Sequence, residues 1–351
     1  MRPQTVRGAS AAAGLLVPCA MWSGCGGATA ASSGGVDGSA SDGAATADAL
    51  DGSSTLAHPP PPPSPGHPGN GADMVYAVNR FFLGDVDPDG TVDPGAWKSI
   101  GFDLDGVNTS DPTAQTNCEL FGIPPSDRQQ LLDGVGGIDN AFGQLLAAKG
   151  ASDWQTALAA SGTWTLLFQL MGNDGTDGEV GVPGAVYVGA PLGAPPKFDG
   201  SDVWPPTTDS APSGSAVAQW GAGYMVDSSF YVTEGLTLFF DLAGANRRQA
   251  RFPIRVDVLE LQFAAGLGGV SYGVLSGIID DSDFAAAWTT CQGGTGPGAQ
   301  SYTDILTDRM SDSTTRCSGV SVAIGFTAVP AALGSPKPGL PAPNQCSDGG
   351  G

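Results

Sequence analysis

The stretch GVSVAIGFTAV, residues 319–329, alternates large apolar side chains with small or polar ones. Its large members are Val320, Val322, Ile324 and Phe326. They fall on one face of an extended chain, because successive side chains of a strand point to opposite faces. A period of two is typical of a strand with one buried face. The stretch therefore predicts a β-strand packed on a hydrophobic core.

The same alternation recurs from residue 74 onward and predicts a mainly β protein with several short helices. The predicted strands are 74–83, 99–104, 163–171, 185–188, 229–233, 236–242, 254–263, 269–276 and 319–329. The predicted helices are 126–132, 138–148, 152–160, 282–288 and 303–310. The apolar phase of stretch 254–263 slips near Val258, which predicts a β-bulge there.

Many short strands between turn residues are typical of a two-sheet β-sandwich of the jelly-roll or lectin-like type. The chain holds 54 glycines and 28 prolines, and both residues favour turns. We expect one sandwich domain over residues 73–346. The tract 189–215, rich in Pro, Gly and Asp, is expected to be a long surface loop, and a division of the domain there is the alternative.

The N-terminus has the layout of a bacterial export signal. Arg2 and Arg7 precede an apolar run at 11–22, and the small residues Ser23 and Gly24 follow. A basic start, a short apolar run and small residues before the cut define such a signal. We therefore expect a signal peptide at 1–24.

Cys25 follows these small residues directly. This order resembles a lipobox, in which the cysteine thiol receives diacylglycerol and the signal is cut before it. Gly26 after the cysteine favours the outer membrane. The expected location is thus an outer-membrane lipoprotein or the cell surface, with Cys25 holding the membrane lipid. Lipidation of Cys19 instead, or a secretory signal without lipid, are the alternatives.

Low-complexity sequence separates Cys25 from the predicted domain. Residues 25–72 are rich in Gly, Ala and Ser and then in Pro, and the tail 347–351 is also rich in Gly. Such segments cannot bury enough apolar surface to offset their ordering entropy. We expect both to be disordered, with 25–72 acting as a linker.

Charge and histidine content exclude several functions. The formal net charge is −21, so the chain lacks the cationic footprint of a nucleic-acid-binding protein. Its two histidines, His58 and His67, both lie in the predicted linker. The predicted domain therefore has no Ser-His-Asp triad and no His-ligated zinc.

Four cysteines remain for the predicted domain: Cys118, Cys291, Cys317 and Cys346. An even number in an oxidising compartment indicates disulfides. We favour Cys291–Cys317 and Cys118–Cys346 among the three pairings that four cysteines allow.

An acidic stretch, DVDPDGTVD at 85–93, resembles the start of an EF-hand-like calcium loop. Its expected ligands are Asp85, Asp87, Asp89, Thr91 and Asp93. The position that normally supplies a bidentate glutamate holds Ala96, so Asp103 or Asp105 would have to substitute. A solvated acidic turn is the alternative. A second acidic turn, at 173–179, is a weaker metal candidate.

Two further patterns bear on function. Trp204 and Trp220 lie in loop-like sequence, where an exposed ring could stack on a sugar face. Glu234 and Glu260 lie in or near predicted strands and form the one plausible carboxylate pair for glycoside hydrolysis.

Several segments resemble an uncharacterised family of predicted secreted lipoproteins from myxobacteria. The segments are FLGD at 82–85, AWK at 96–98, GFDLDG at 101–106, GIDNAFG at 137–143, DVW at 202–204, and Cys317 with 320–326. The resemblance implies an anchored surface protein and brings no activity, substrate or catalytic residue with it.

We therefore expect a lipid-anchored cell-envelope protein, stabilised by calcium and disulfides, that binds a glycan or an envelope protein and is not an enzyme. Two alternatives stay open: a secreted carbohydrate-active hydrolase that uses an Asp/Glu pair, and a purely structural envelope protein.

The lipid anchor can be tested by growing the host with labelled palmitate. The protein should incorporate the label, and Cys25→Ala should abolish incorporation because the acceptor thiol is lost, whereas Cys19→Ala should leave it intact. Labelling that persists in Cys25→Ala would refute the assignment.

Overall fold

The computed structural model describes residues 58–106, 108, 133–147, 149–243, 249–264, 267–292 and 318–339. The strands in these ranges are β1 His67–Pro68, β2 Met74–Phe82, β3 Thr165–Leu170, β4 Glu179–Gly189, β5 Val203–Trp204, β6 Ala218–Val226, β7 Ser229–Val232, β8 Leu236–Ala243, β9 Gln249–Phe263, β10 Val270–Asp280 and β11 Gly319–Leu333. The α-helices are α1 Ala141–Leu146, α2 Ala151–Ala160 and α3 Asp281–Gln292. Short 3-10 helices lie at Ala96–Ser99, Val135–Gly137 and Pro212–Gly214.

The main sheet closes into an antiparallel β-barrel of eight strands. Its strand order is β4-β3-β2-β11-β10-β9-β7-β6, and β6 pairs back onto β4. The closing pairs include Val180 with Tyr224 and Val186 with Ala218. The predicted two-sheet sandwich is therefore wrong. Alternation shows which side chains are buried, but it does not show whether the last strand of a sheet pairs with the first.

The barrel interior is packed with large side chains. Phe168 of β3 and Phe326 of β11 stack with ring centroids 4.8 Å apart, although β2 lies between their strands in the sheet. Both rings are fully buried. An eight-stranded barrel is just narrow enough for side chains to fill it, and this interior leaves its aromatic rings in mutual contact.

Helices and the β8–β9 hairpin cover one end of the barrel. Phe142 of α1 packs edge-on against Phe252 of β9 and Phe284 of α3, at 5.2 and 6.1 Å between ring centroids. Two side chains of α2, Ser152 and Thr156, accept hydrogen bonds from backbone amides at the end of β2. Within the described chain, β8 pairs only with the first half of β9.

Outer layers cover much of the barrel wall. Buried apolar side chains form an inner cluster, which fills the barrel, and an outer cluster on the other face of the wall. Phe81 belongs to the inner cluster, and its neighbour Phe82 belongs to the outer one. In the outer cluster, Ile100 and Phe102 pack against the outer faces of β10 and β11. Residues 99–104 were predicted to be a strand. They end a 3-10 helix and continue as a loop, because their alternating apolar side chains pack onto the sheet instead of extending it.

The tract 189–215 covers another part of the wall. Trp204 and Ala211 of this tract pack with Leu167 of β3 and Tyr187 of β4 in a third cluster. The predicted surface loop therefore shields the outer face of the sheet.

Several elements match their predictions closely. The bulge expected near Val258 is confirmed, since Val258 and Val256 pair with successive residues of β10 and Asp257 is left over. Strand β6 was not predicted, although Gln219, Gly221 and Gly223 alternate with apolar residues there, because glycines are depleted in strands and made the sequence look like a loop. The helices predicted at 126–132 and 303–310 lie outside the described residues.

Residues 58–72, which we call the strap, lie against the barrel wall. The hydroxyl of Tyr224 donates to the carbonyl of Pro60 at 2.7 Å. The amides of His67 and Gly71 donate to the carbonyls of Gly178 and Gly172 at 2.9 and 2.8 Å. The last third of the predicted linker therefore contacts the domain, and the contacts begin well before the predicted boundary at residue 73.

Removal of the strap should destabilise the barrel. A chain that starts at residue 73 loses the three hydrogen bonds above, each worth about 1 kcal/mol, and part of this is offset by the ordering entropy of the strap. A loss of roughly 1–2 kcal/mol corresponds to about 2–8 °C in melting temperature. Thermal unfolding followed by circular dichroism measures the difference.

The matched control starts at residue 58 and keeps the strap. Its melting temperature should equal that of the chain that starts at residue 26. Equal melting of the chains that start at 58 and 73 would contradict a stabilising strap.

Candidate functional site

A shallow cleft opens beside β8, between this strand and the end of β4. Its floor is apolar and consists of Val186, Val188, Ala218 and Leu238, all of which belong to the inner core. It forms because β6 turns away to pair with β4, so that β8 has no neighbour on this side among the described strands.

The rim of the cleft is unusually apolar for an exposed surface. Val217 is 53% exposed and Phe239 is 45% exposed. Thr207 and Ser210 add hydroxyl groups to the opposite wall. An apolar floor with a few polar groups at its edge is the usual composition of a ligand site.

One charged network borders the cleft. Arg251 binds Asp241 through two hydrogen bonds, Nε to Oδ1 at 2.7 Å and Nη2 to Oδ2 at 2.9 Å. Its Nη1 lies 3.4 Å from Oδ2 of Asp209, and its guanidinium lies 6.0 Å from the ring centroid of Phe239. The hydrogen bonds that Arg251 donates to Asp241 raise the pKa of Arg251.

This network leaves the rim slightly negative. Asp241 is buried, and a hydrogen-bonded cation offsets the cost of desolvating its carboxylate. Arg251 supplies that cation, so its charge is committed to Asp241. The side chain of Asp209 is 62% exposed and is the acidic group that a ligand can reach.

An acidic cluster lies elsewhere on the molecule. Carboxylate oxygens of Asp103, Asp105 and Asp139 lie within 4.8 Å of one another. The loop 100–106 and the segment before α1 carry these residues. The amide of Leu104 donates to Asp139 at 2.6 Å, which joins the two segments. The amide of Gly106 donates to Asp103 at 2.7 Å within the loop 100–106.

This cluster could hold a hard cation. Like charges so close together repel, and a cation relieves that repulsion. Calcium takes six to eight oxygen ligands, often from carboxylates. Nε2 of His58 lies 3.4 Å from Oδ2 of Asp103, so the strap reaches the edge of this cluster.

The predicted calcium loop is a tight hairpin in the structure. The amide of Asp87 donates to the carbonyl of Thr91, and the amide of Asp93 donates to the carbonyl of Asp85. Gly90, with φ of 93°, supplies the left-handed residue that a three-residue hairpin loop needs. The alternation that suggested a calcium loop therefore encodes a hairpin.

The five predicted ligands do not surround a common centre. Asp85 is buried and accepts hydrogen bonds from the amide and hydroxyl of Ser152 in α2. Asp89 accepts from the amide of Thr91 at 2.7 Å, and Asp93 accepts from the amide of Gly95 at 2.7 Å. Burial and the charges of Asp93 and Asp89 raise the pKa of Asp87. Among the described residues, the acidic group with metal-ligand spacing is the Asp103 cluster.

Neither predicted binding tryptophan is on the surface. Trp204 is 0% exposed and Trp220 is 4% exposed. Trp204 packs on the outer face of the sheet with Leu167 and Tyr187, and Nε1 of Trp220 donates to the carbonyl of Val182 at 3.1 Å. Both predictions of an exposed stacking ring therefore need correction, because Trp204 packs in the third, outer cluster and Trp220 in the inner core.

The two glutamates of the hydrolase alternative make separate contacts. Glu260 is buried and accepts a hydrogen bond from the hydroxyl of Tyr231 at 3.0 Å. Glu234 is exposed and accepts from the amide of Gly221 at 2.7 Å. Each carboxylate therefore has a local structural role.

The cysteine predictions are not tested by the structure. Cys25, Cys118, Cys317 and Cys346 lie outside the described residues. The backbone of Cys291 lies in α3, but its side chain lies outside the described part. Lipidation and both disulfides stay predictions.

Sequence reasoning missed the cleft, although one signal for it was present. In 236–242 the apolar set is Leu236, Leu238, Phe240 and Leu242, and Phe239 interrupts the opposite, polar face. A large aromatic residue on the solvent face of a strand is a candidate contact residue. The pairing of Arg251 with Asp241 depends on the register of β8 and β9, which the sequence did not reveal.

No known protein family, curated protein or solved structure matches this chain. The geometry of its own residues is therefore the basis for a function.

Proposed function

We propose that the protein is an exported, lipid-anchored component of the cell envelope, and that its barrel is a non-enzymatic binding module with the cleft beside β8 as its site. The observation that carries the proposal is the junction of an apolar floor with an exposed aromatic rim at Phe239.

Burial energetics favour binding at this position. A partner that covers the exposed side chains of Val217 and Phe239 stabilises its complex by about 25 cal/mol for each Å² of apolar surface that it buries. The charged groups of the rim hold one another in place, so they provide a preorganised polar border. Such a border orients a ligand at small entropic cost.

The proposed anchor is the lipid on Cys25. Among the described residues, no helix is both long and apolar enough to cross a membrane. The support for an envelope location is the export signal predicted at 1–24 and the resemblance of the sequence to predicted myxobacterial lipoproteins.

The cleft can be tested with N-phenyl-1-naphthylamine, an uncharged apolar fluorophore. Its fluorescence should rise on binding to the chain that starts at residue 26. Val217→Ser removes one apolar wall of the rim and should weaken binding roughly 3–10-fold. Fluorescence titration gives both affinities.

Val92→Ser is the matched control, because Val92 is 74% exposed and lies in the hairpin outside the cleft. It should bind the fluorophore like the unaltered chain. Equal weakening in both variants, or no binding at all, would remove the support for the cleft as the site.

We also propose that calcium stabilises the barrel through Asp103, Asp105 and Asp139 rather than through the hairpin at 85–93. The support is the mutual distance of their carboxylates. Bound calcium would link two loops that are distant in sequence. The effect is expected to be structural, because extracellular modules bind calcium at roughly 10⁻⁴–10⁻³ M.

Chelation with EDTA should lower the melting temperature. At a calcium concentration tenfold above the dissociation constant, binding stabilises by about 1.4 kcal/mol, or roughly 3–6 °C. Asp105→Asn should abolish the difference between calcium and EDTA, since it removes one charged ligand of the cluster. Asp87→Asn should retain the difference. If Asp87→Asn abolished the difference and Asp105→Asn retained it, the calcium site would lie in the hairpin. If EDTA left the melting temperature of the unaltered chain unchanged, calcium binding would be refuted.

A further inference from the structure

One edge of β8 is unpaired within the described structure. Its partner on the other side is β9, in a register that joins Phe239 with Pro253 and Asp241 with Arg251. Both Thr237 and Phe239 are exposed. The free edge borders the cleft, since Thr237, Leu238 and Phe239 line it.

The backbone groups at this edge have a defined direction. Proline has no amide hydrogen, so Pro253 cannot donate to Phe239, and this pair is of the non-hydrogen-bonded type. The amide and carbonyl of Phe239 therefore point away from β9. The carbonyl of Asp241 also points away, because Nε2 of Gln155 donates to it at 3.0 Å. Directions alternate along a strand, so Thr237 shares the direction of Phe239 and Asp241.

The free edge thus presents the amide and carbonyl of both Thr237 and Phe239 toward the cleft. Proteins usually blunt an exposed strand edge with charge, proline or a covering segment, because such an edge pairs with other chains. Here the edge instead carries an exposed phenylalanine beside an apolar floor. This combination suits a partner strand.

The two faces of an added strand would meet different chemistry. Side chains on the inner face would lie over the apolar floor, beside Leu238. Side chains on the outer face would lie near Phe239 and the exposed carboxylate of Asp209. Phe239 favours an apolar or cationic group, and Asp209 favours a cationic one.

We propose that β8 captures an extended peptide segment of another protein by strand addition, and that this segment alternates apolar with basic side chains. The inference rests on the proposed function, since it uses the same cleft. Backbone hydrogen bonds to Thr237 and Phe239 provide affinity, and the alternate side chains provide specificity.

Charge distinguishes this partner from other occupants of the edge. A second copy of the chain would bring another acidic rim and a second net charge of −21 to the interface, and like charges oppose association. An acidic or anionic ligand meets the same repulsion. A basic peptide is attracted by both the rim and the whole chain.

The test uses the chain that starts at residue 26 and a fluorescent peptide, acetyl-Thr-Lys-Val-Lys-Val-Lys-Thr-amide, followed by fluorescence anisotropy. The peptide should bind and should displace N-phenyl-1-naphthylamine from the cleft. The same peptide with Asp in place of Lys should not bind. If the fluorophore binds but the peptide does not displace it, the inference of a peptide partner is overturned, and the cleft remains a ligand site.

Two N-methylated peptides test strand addition directly. One carries the methyl groups on its lysines and the other on its valines, so each blocks a different edge of the extended peptide. Strand addition requires that one of them binds like the parent while the other loses about tenfold or more in affinity. Equal behaviour of the two peptides would exclude pairing with β8.

Thr237→Pro tests the protein side of the pairing. It removes an amide that points to the free edge and leaves the bonds between β8 and β9, so it should weaken peptide binding about 3–10-fold. Thr237→Val keeps the amide and should bind normally. Asp209→Asn should weaken binding and reduce its salt dependence, whereas Asp227→Asn, at the turn between β6 and β7, should not.

Two further outcomes would assign the edge to another occupant. A dimer of the unliganded chain that Thr237→Pro dissociates would show that the edge pairs with a second copy. The described chain approaches Thr207 at Gly339, so the segment that follows is a second competitor. Binding that occurs only after deletion of residues 340–351 would assign the cleft to that segment and overturn the external partner.

Discussion

The pairing of β6 with β4 is the constraint on which the rest of this structure depends. It joins the two ends of the sheet, so that every strand of the ring has a neighbour on both sides. At this pairing the ring of Trp220 in β6 packs directly on the backbone of Gly184 in β4, where any other residue would place its side chain. A larger residue at this glycine would push the closing strands apart. Closure also fixes the interior volume, which aromatic rings such as those of Phe168 and Phe326 fill.

The exposed edge of β8 is a consequence of that closure. β9 extends over 15 residues, and one of its edges pairs first with β8 and then with β7. In the ring, β9 pairs with β7, β7 pairs with β6, and β6 pairs with β4. β8 therefore lies beside the ring without belonging to it. The pairing of β6 with β4 removes the free edges of the barrel, and it leaves one edge of β8 unpaired among the described strands.

The sequence predicted local structure better than it predicted assembly. Alternation located most strands, and a phase slip located the bulge at Asp257, because burial on one face acts residue by residue. It failed at 99–104, where the same alternation arises from packing onto a sheet. It also failed to separate barrel from sandwich, since both place alternate side chains inward. The choice depends on contacts between β4 and β6, which are separated by the tract 189–215.

The candidate site was less accessible to prediction for a related reason. Aspartate spacing at 85–93 satisfied a calcium pattern, but the spacing equally suits a hairpin, and the buried Asp85 binds α2 instead. The cluster at Asp103, Asp105 and Asp139 joins residues that are distant in sequence. Trp204 and Trp220 lie in Pro- and Gly-rich sequence, yet Trp204 is buried in the third, outer cluster formed with the tract 189–215, and Trp220 packs in the inner core. Loop-like composition therefore did not mean exposure in this chain.

A filled interior limits where this protein can recognise another molecule. Aromatic side chains occupy the lumen, and outer layers cover two regions of the wall, so recognition has to use the rim or the remaining surface. The strap meets the barrel at the start of β4, where β1 pairs with Glu179 and Val180, whereas the cleft uses Val186 and Val188 near the end of the same strand. A strand rises about 3.3 Å per residue, which separates the two positions by roughly 20 Å. The segment that leads toward the proposed anchor therefore docks away from the cleft, and this separation leaves the edge of β8 open to a partner that approaches from the other end of the barrel.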